Sequence, residues 1–313
     1  MKDLNIVAIG GGTGLSTLLR GLKHYNDNIT AVVTVADDGG SSGRLRKELG
    51  VLPPGDIRNC LVALCEEENL MSRLFQHRFK SKGSLAGHSF GNLFLTAMSD
   101  IAGSFDNAIA QSAQVLAIKG RVLPVTLADV LIEAELENGK KVRGESAVSK
   151  TAGKIKNISL VPKMPKAAPA VLESLKNADV IILGPGSLYT SVIVNLCVAG
   201  ITDAIKASKA RVIYVLNIMT QPGETDGYTL SDHIKAIENH SYKGIVDYAI
   251  VNSAKIPDNI AKRYKKQGAS LVKIDKSGVK EVKRKLYLNE FYARHDSVKL
   301  AKTIADIFRK EGK

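Results

Sequence analysis

The sequence has neither the long apolar segment of a membrane protein nor the cysteine pattern of a secreted or zinc-binding protein. No apolar run approaches the roughly 20 residues that a membrane-spanning helix needs, and the N-terminal apolar run is too short for a signal peptide. The three cysteines, Cys60, Cys65 and Cys197, are odd in number and form no C-x-x-C pair. This usage fits a reducing compartment in which the thiols are buried and inert. We therefore expect a cytoplasmic protein without a membrane span.

Signatures of several enzyme classes are also missing. No glycine-rich loop continues into Gly-Lys-Ser/Thr, which excludes a Walker phosphate loop. Ser187 lies in no G-x-S-x-G turn, and no Gln/Arg set marks a phosphoryl-transfer site. Catalysis by a metal and by positioning leaves little trace in a sequence. These absences therefore favour a binding protein without deciding against an enzyme.

The sequence does contain short apolar runs that alternate with segments of helical periodicity. With 313 residues, 44% of them hydrophobic, the chain is long enough to bury a large core. Apolar β-branched runs followed by helices are typical of parallel strands. We predict one Rossmann-like α/β domain over residues 1–313, with a mainly parallel sheet and helices on both faces. Residues 121–162, which contain an Asn138-Gly139 hairpin signal, are predicted to be an antiparallel β insertion within it.

The densest motif is the glycine cluster at residues 10–14, between the first predicted strand and the first predicted helix. Such a turn presents bare backbone N–H groups and the positive end of a helix dipole, which together favour phosphate. Gly10 and Gly12 match the first two positions of G-x-G-x-x-G, but Leu15 occupies the third. The alternative is a tight turn without a ligand.

Two adjacent carboxylates, Asp37 and Asp38, follow the second predicted strand. In a doubly wound sheet, an acid at this place binds a ribose hydroxyl. Paired carboxylates before a Gly-Gly-Ser-Ser run also suit a hard cation. An acidic turn with only local hydrogen bonds explains the same residues.

Four further segments place polar residues at strand ends or helix starts. Residues 53–59 begin with a double proline, and residues 87–92 bring a histidine to a helix start. Residues 184–191 form a second glycine and hydroxyl loop, and residues 217–225 follow another strand. Because crevices in such sheets are assembled from several strand ends, we expect one common site. The candidate nucleotide-binding residues are Gly10, Gly11, Gly12, Thr13, Gly14, Asp37, Asp38, Ser41, Arg44, Asp56, Arg58, Asn59, His88, Ser89, Asn92, Gly184, Pro185, Gly186, Ser187, Tyr189, Thr190, Asn217 and Gln221.

The positive charge is concentrated near the C-terminus. Residues 255–313 hold 17 Lys and Arg against 7 Asp and Glu, so about +10 of the net charge of +13 lies there. Such an excess is typical of nucleic-acid binding, of anionic lipid binding or of a soluble surface. Since no nucleic-acid motif accompanies it, we interpret the segment as a solvated basic face or a partner surface.

Taken together, the segments 10–15, 36–43, 53–59, 87–92 and 184–191 resemble the gluconeogenesis factor family of bacteria in order and spacing. The likeness covers essentially the whole chain. That family is related to the CofD-like 2-phospho-L-lactate transferases of coenzyme F420 synthesis, which share a Rossmann-like fold. The run after Asp38 looks like the gluconeogenesis factor branch, which favours a binding or regulatory role.

The resemblance implies a cytoplasmic protein that binds a nucleotide-sugar such as UDP-N-acetylglucosamine, requires no cofactor and acts in cell shape under gluconeogenic growth. We also expect that the protein can self-associate and bind protein partners of envelope growth. We do not expect it to bind nucleic acid. One alternative is a magnesium-dependent transferase, in which Asp37, Asp38 and Asp56 would hold the metal against a nucleotide-linked donor. Another is a protein that binds a dinucleotide of the NAD type.

Overall fold

The computed structural model describes residues 4–66, 70–80, 82–151, 153–289 and 291–311. The strands are β1 (Ile6–Gly10), β2 (Ile29–Val33), β3 (Arg121–Pro124), β4 (Leu131–Leu136), β5 (Lys141–Arg143), β6 (Ile155–Val161), β7 (Val180–Leu183), β8 (Arg211–Val215), β9 (Tyr248–Asn252), β10 (Lys280–Arg284), β11 (Tyr287–Asn289) and β12 (Ala293–His295). The helices are α1 (Gly12–Leu22), α2 (Gly40–Leu49), α3 (Gly55–Leu64), α4 (Leu70–Gln76), α5 (Phe90–Ala102), α6 (Phe105–Val115), α7 (Glu145–Val148), α8 (Pro169–Lys176), α9 (Val194–Leu196), α10 (Ile201–Ala207), α11 (Leu230–Asn239), α12 (Asp258–Lys266) and α13 (Ser297–Glu311). A π-helical segment, Leu188–Ile193, directly precedes α9.

A seven-stranded parallel sheet in the order β10-β9-β8-β7-β1-β2-β3 forms the centre of the molecule. Strands β1, β2 and β7 are apolar and buried along their whole length. This burial is expected where helices cover both faces of a parallel sheet. The edge strand β10 has the sequence Lys-Glu-Val-Lys-Arg and is largely exposed. The predicted Rossmann-like α/β fold is confirmed.

The direction of the chain reverses at β1. From β1 the chain continues outward to β2 and β3, and it then returns to pair β7 with the other side of β1. The loops that follow β1 and β7 therefore diverge from adjacent strands at the carboxyl edge. Open α/β sheets bind their ligands in the crevice at such a switch point.

The antiparallel insertion is shorter than predicted. Strands β4, β5 and β6 form a separate antiparallel sheet, and the turn at Asn138 and Gly139 joins β4 to β5 as expected. Its predicted start at residue 121 is wrong, because β3 pairs in parallel with β2, with Arg121 opposite Thr30. A short apolar run has the same pattern in either kind of sheet, so the sequence did not identify its partner.

The C-terminal region also differs from the sequence interpretation. Residues 270–274 have the apolar β-branched residues of a strand, but the structure shows them making the isolated bridges Met219 to Leu271 and Thr229 to Lys273 instead of joining a sheet. The antiparallel hairpin of β11 and β12 was not predicted. A small second core, formed by Ile218, Met219, Ile256, Ile260 and Tyr287, lies at the base of α12 and this hairpin. None of the helices that the structure describes is long and apolar enough to cross a membrane.

Candidate functional site

A cavity of about 410 Å³ opens at the carboxyl edge of the sheet, where the loops after β1 and β7 face each other. Its walls come from both glycine loops, the loop after β8, the start of α7, α12 and the C-terminal hairpin. The lining includes Gly11, Gly12, Thr13, Gly14, Thr17, Glu145, Pro185, Gly186, Ser187, Ser191, Asn217, Met219, Gln221, Tyr264, Arg294 and His295. The switch point of the sheet therefore coincides with a cavity, and both predicted glycine loops lie in its wall.

The two glycine loops pack against each other. A Cβ atom on Gly14 would lie 2.3 Å from the carbonyl oxygen of Pro185, and one on Gly186 would lie 3.6 Å from the carbonyl oxygen of Gly11. Glycine is needed at position 14 because any side chain would push the loops apart. Gly12 differs, since it has a positive φ of +60° and no atom within 4 Å of the place where its Cβ would be.

The first turn of α1 exposes unpaired amide groups to the cavity. The helix begins after Gly11, without a side-chain cap and without an acidic residue in its first turn. Within the described residues, no acceptor is bonded to the amides of Thr13 or Gly14. Such donors at the positive end of a helix dipole suit a phosphate.

The Asp56 carboxylate lies close to the first glycine loop, because a Cβ on Gly11 would be 2.6 Å from its Oδ2. Burial raises the pKa of Asp56 to about 6; the Gly12 N–H opposes this rise, Asp37 adds to it and Arg58 reduces it. Asp56 therefore supports the glycine loop from beneath and does not line the cavity.

Side-chain amides fix the second glycine loop. Asn217 Oδ1 accepts from the Gly186 N–H at 3.3 Å, and Nδ2 donates to the Gly186 carbonyl at 2.6 Å. Gln221 Nε2 donates to Ser187 Oγ at 2.7 Å. The loop after β8 thus determines how the loop after β7 faces the cavity.

Glu145, at the start of α7, lines the cavity and was not predicted. Burial raises its pKa to about 9, and the negative charges of Asp37, Asp56, Glu224 and Asp38 add to the rise. Its carboxyl group is therefore neutral at pH 7 and can donate a hydrogen bond. Nothing in the local sequence signals this role, because Glu145 reaches the cavity through the fold of the insertion, far from both glycine loops along the chain.

The adjacent carboxylates after β2 accept hydrogen bonds from backbone N–H groups. Asp37 Oδ1 accepts from the Gly39 N–H at 2.8 Å, and Asp38 Oδ1 accepts from the Ser146 N–H at 2.9 Å, which ties the insertion to the main sheet. Among the described residues, no group of three or more His, Cys, Asp or Glu side chains is arranged to hold a metal ion.

A buried polar network joins three of the predicted segments behind the cavity. Ser41 Oγ lies 3.0 Å from His88 Nδ1, and Asn92 Nδ2 donates to Ser41 Oγ at 3.1 Å. Arg58 donates to Ser89 Oγ and, at 3.0 Å, to Asn92 Oδ1. Since all five side chains are buried, they brace α2, α3 and α5 and lie outside the cavity wall. Nearby, Arg58 also donates to Asn59 Oδ1, and Arg44 donates to the Ala86 carbonyl.

Tyr189 and Thr190 are turned away from the cavity toward a buried acid. Glu224 accepts from the Tyr189 N–H at 3.3 Å, the Thr190 N–H at 3.4 Å and the Thr190 hydroxyl at 3.1 Å. Tyr189 also lies 2.8 Å from the Tyr228 hydroxyl. Glu224, which the sequence did not indicate as a site residue, thus satisfies the open N–H groups at the start of the π-helical segment.

The far wall of the cavity comes from the basic C-terminal region. Tyr264 of α12 and Ala293, Arg294 and His295 of the hairpin all line it. Burial lowers the pKa of His295 to about 4, although a hydrogen bond to the Leu216 carbonyl opposes the shift. Arg294 is exposed and belongs to the residues that line the cavity, and its guanidinium carbon lies 5.1 Å from the centroid of the Tyr292 ring. These residues lie some 250 to 280 positions after the first glycine loop, and no motif marked them.

Comparison with known proteins agrees with this architecture. The family model for 2-phospho-L-lactate transferase CofD matches residues 6–292. A protein of Halalkalibacterium halodurans named gluconeogenesis factor is 52% identical over 280 residues, which are 90% of this chain and 87% of that protein. This chain belongs to the gluconeogenesis factor family of CofD-like proteins.

Two further members show how completely the family covers the chain. The gluconeogenesis factor of Bacillus subtilis is 45% identical over 310 residues, which are 97% of this chain and 98% of that one. A crystal structure of a Bacillus halodurans protein superimposes with a TM-score of 0.94 at 49% identity, covering 97% of this chain and all of that one. Hence nearly the whole chain falls within the region shared with these relatives.

Proposed function

We propose that this family member binds a nucleotide-sugar of the UDP-N-acetylglucosamine type in the cavity at the switch point, as a regulatory protein. The main support is the pair of unpaired N–H groups of Thr13 and Gly14 at the start of α1, facing a second glycine loop. A diphosphate placed there accepts from both donors and benefits from the helix dipole. Arg294, on the opposite wall, adds a cation that the glycine loops lack.

Neutral polar groups support a sugar as the second part of the ligand. Ser187, Gln221 and Asn217 lie beside the phosphate position, and Glu145 presents a neutral carboxyl group because its pKa is about 9. These groups exchange hydrogen bonds with hydroxyls without repelling a diphosphate. An ionised carboxylate at the position of Glu145 would oppose the phosphate charge.

A regulatory role in growth on gluconeogenic carbon sources and in cell shape is part of the same proposal. Its support is the name that the relatives carry, gluconeogenesis factor, and the resemblance of the loop segments, not the geometry of the cavity. The cytoplasm is the proposed location. Protein partners in envelope growth and self-association remain part of this proposal.

The direct test is calorimetry of the purified chain with UDP-N-acetylglucosamine, UDP, GDP and NAD. We expect the UDP-sugar to bind more tightly than UDP alone, because the sugar engages the neutral lining groups. Mass spectrometry of the protein as purified should identify a retained UDP-sugar. Binding of NAD in preference to all UDP compounds would replace this proposal by the dinucleotide alternative.

A transferase is the second candidate, and the match to the CofD model over residues 6–292 favours it. Such an enzyme would need magnesium to bind its nucleotide-linked donor. Nucleotide-sugar binding by a sensor should survive EDTA. Magnesium-dependent consumption of a nucleotide-linked donor, lost in Asp37→Asn, would favour the enzyme.

A further inference from the structure

Exposed aromatic side chains stand at the tip of the C-terminal hairpin. Phe291 is 62% exposed and Tyr292 is 46% exposed, and their ring centroids lie 5.1 Å apart. In the described residues, β11 and β12 pair with each other in a separate two-stranded sheet. Large exposed rings of this kind are uncommon on a surface that meets only water, and they are typical of an interaction site.

The adjacent helix α12 adds positive charge beside these rings, since its Arg263 contacts Phe291. Its buried residue is Ile260, so Lys262, Lys265 and Lys266 project from the other side of the helix. In the parts of the chain that the structure describes, none of these three lysines forms an ion pair. We call Lys262, Arg263, Lys266, Phe291, Tyr292 and Arg294 the basic rim.

Cation–π contacts connect the rings to the charge. The guanidinium carbon of Arg263 lies 3.4 Å from the centroid of Phe291, and that of Arg294 lies 5.1 Å from the centroid of Tyr292. Arg263 also donates a hydrogen bond to the Phe291 carbonyl. The hairpin tip and the helix therefore present one continuous surface of rings and cations.

The chemistry of this surface fits an anionic lipid bilayer better than a nucleic acid. Single-stranded nucleic acids use open ring faces to stack bases, whereas here guanidinium groups already cover one face of each ring. Aromatic rings are favoured at the boundary between head groups and acyl chains. Lys and Arg side chains near an anionic leaflet are attracted by its negative surface potential.

We propose that the basic rim docks on an anionic lipid bilayer, with Phe291 and Tyr292 entering the head-group region. The net positive charge of the region after residue 254 complements the surface potential of such a leaflet. Arg294 and Tyr264 belong both to this end of the molecule and to the cavity wall, so docking brings the cavity mouth close to the lipid. The proposal does not depend on which ligand the cavity binds.

Vesicle co-sedimentation of the full chain tests the proposal. We expect binding to vesicles of phosphatidylcholine mixed with phosphatidylglycerol, and none to phosphatidylcholine alone. Binding should fall steeply with salt, because the screening length shortens from about 10 Å at 0.1 M to about 3 Å at 1 M. The double variant K262E/K266E should bind at least tenfold more weakly. F291A/Y292A, which keeps every charge, should also bind more weakly.

The matched control is K140E/K154E, which makes the same change of charge at two exposed lysines of the insertion. It should bind the mixed vesicles as the parent does. Absence of binding to the mixed vesicles at low salt would overturn the proposal, as would an equal loss in the control and in K262E/K266E. Tight binding of DNA or RNA that K262E/K266E abolishes, without vesicle binding, would assign the rim to nucleic acid instead.

Discussion

Replacement of Gly12 with alanine tests the phosphate position. Gly12 has a φ of +60°, and its missing Cβ would meet no atom within 4 Å, so the methyl group would project into the cavity. The variant should still fold, with a free energy of unfolding lower by about 1–2 kcal/mol, because an L-residue is strained in the left-handed region. The methyl group would stand where a phosphate approaches the N–H groups of Thr13 and Gly14. Affinity for UDP-N-acetylglucosamine should therefore fall by about 10–1000-fold, or roughly 1–4 kcal/mol.

The control for this variant is Gly103→Ala. Gly103 ends α5 with a φ of +73°, and its Cβ would also meet nothing within 4 Å, but it lies outside the cavity wall. Both variants should lose similar free energy of unfolding in urea, while calorimetry should show weaker binding only for Gly12→Ala. Undiminished affinity in a folded Gly12→Ala protein would remove the first glycine loop from the ligand site.

Two further predictions concern buried polar groups. Burial lowers the pKa of His233 to about 4. Between pH 4 and 6.5 the native state therefore binds fewer protons than the unfolded state, and its stability falls as the pH falls. Over this window the free energy of unfolding of the parent should decrease by about 3 kcal/mol more than that of His233→Gln. Identical urea-unfolding profiles against pH would contradict this assignment. Asp38→Ala removes the acceptor of the Ser146 N–H. It should lower the free energy of unfolding by about 1–3 kcal/mol and speed amide exchange at Ser146. Asp38→Asn keeps an oxygen acceptor, so its effect on both should be smaller. If Asp38→Ala instead left exchange unchanged and abolished ligand binding, the carboxylate would belong to the ligand site.

Local patterns in the sequence were enough to predict the main sheet and the position of the glycine loops. Apolar β-branched runs such as β1 and β7 predict buried parallel strands, and residues 10–14 and 184–187 follow them directly. The structure brings these loops into one cavity, with Asn217 against Gly186. The common position of the two loops could be predicted because parallel strands place their carboxyl ends on the same edge of the sheet.

The remaining site features depend on contacts between residues far apart in the chain. Asp38 looked like a ligand residue, yet its partner is an amide 108 positions later. The edge strand β10 was not predicted, because its Lys-Glu-Val-Lys-Arg sequence lacks the apolar run of a buried strand. Edge strands can carry lysines, whereas central strands cannot. Arg294 and His295 reach the cavity only through the position of the hairpin, which no periodicity reveals.

Glu145 shows how an acidic residue can remain beside a phosphate-binding loop. Its carboxyl group lies among Asp37, Asp56 and Glu224, and both this crowding and its burial disfavour ionisation. With a pKa of about 9 it stays protonated at pH 7, whereas an unfolded chain would ionise it near pH 4.5. The native state therefore binds the additional proton, and its stability falls as the pH rises from 4.5 to 9.

Glu145→Gln should remove this penalty, because glutamine has the same shape as the protonated acid and never ionises. At pH 8 the free energy of unfolding should rise by about 1–3 kcal/mol, since one pKa unit corresponds to 1.36 kcal/mol and partial exposure reduces the full value. Urea unfolding at pH 6 and pH 8 measures the effect, and the exposed Glu137→Gln serves as the control. Affinity for UDP-N-acetylglucosamine should persist, because the amide keeps a donor at the same place. A Glu145→Gln protein that is less stable than the parent at pH 8 would show that the native carboxyl group is ionised, and the cavity would then need a cation beside any bound phosphate.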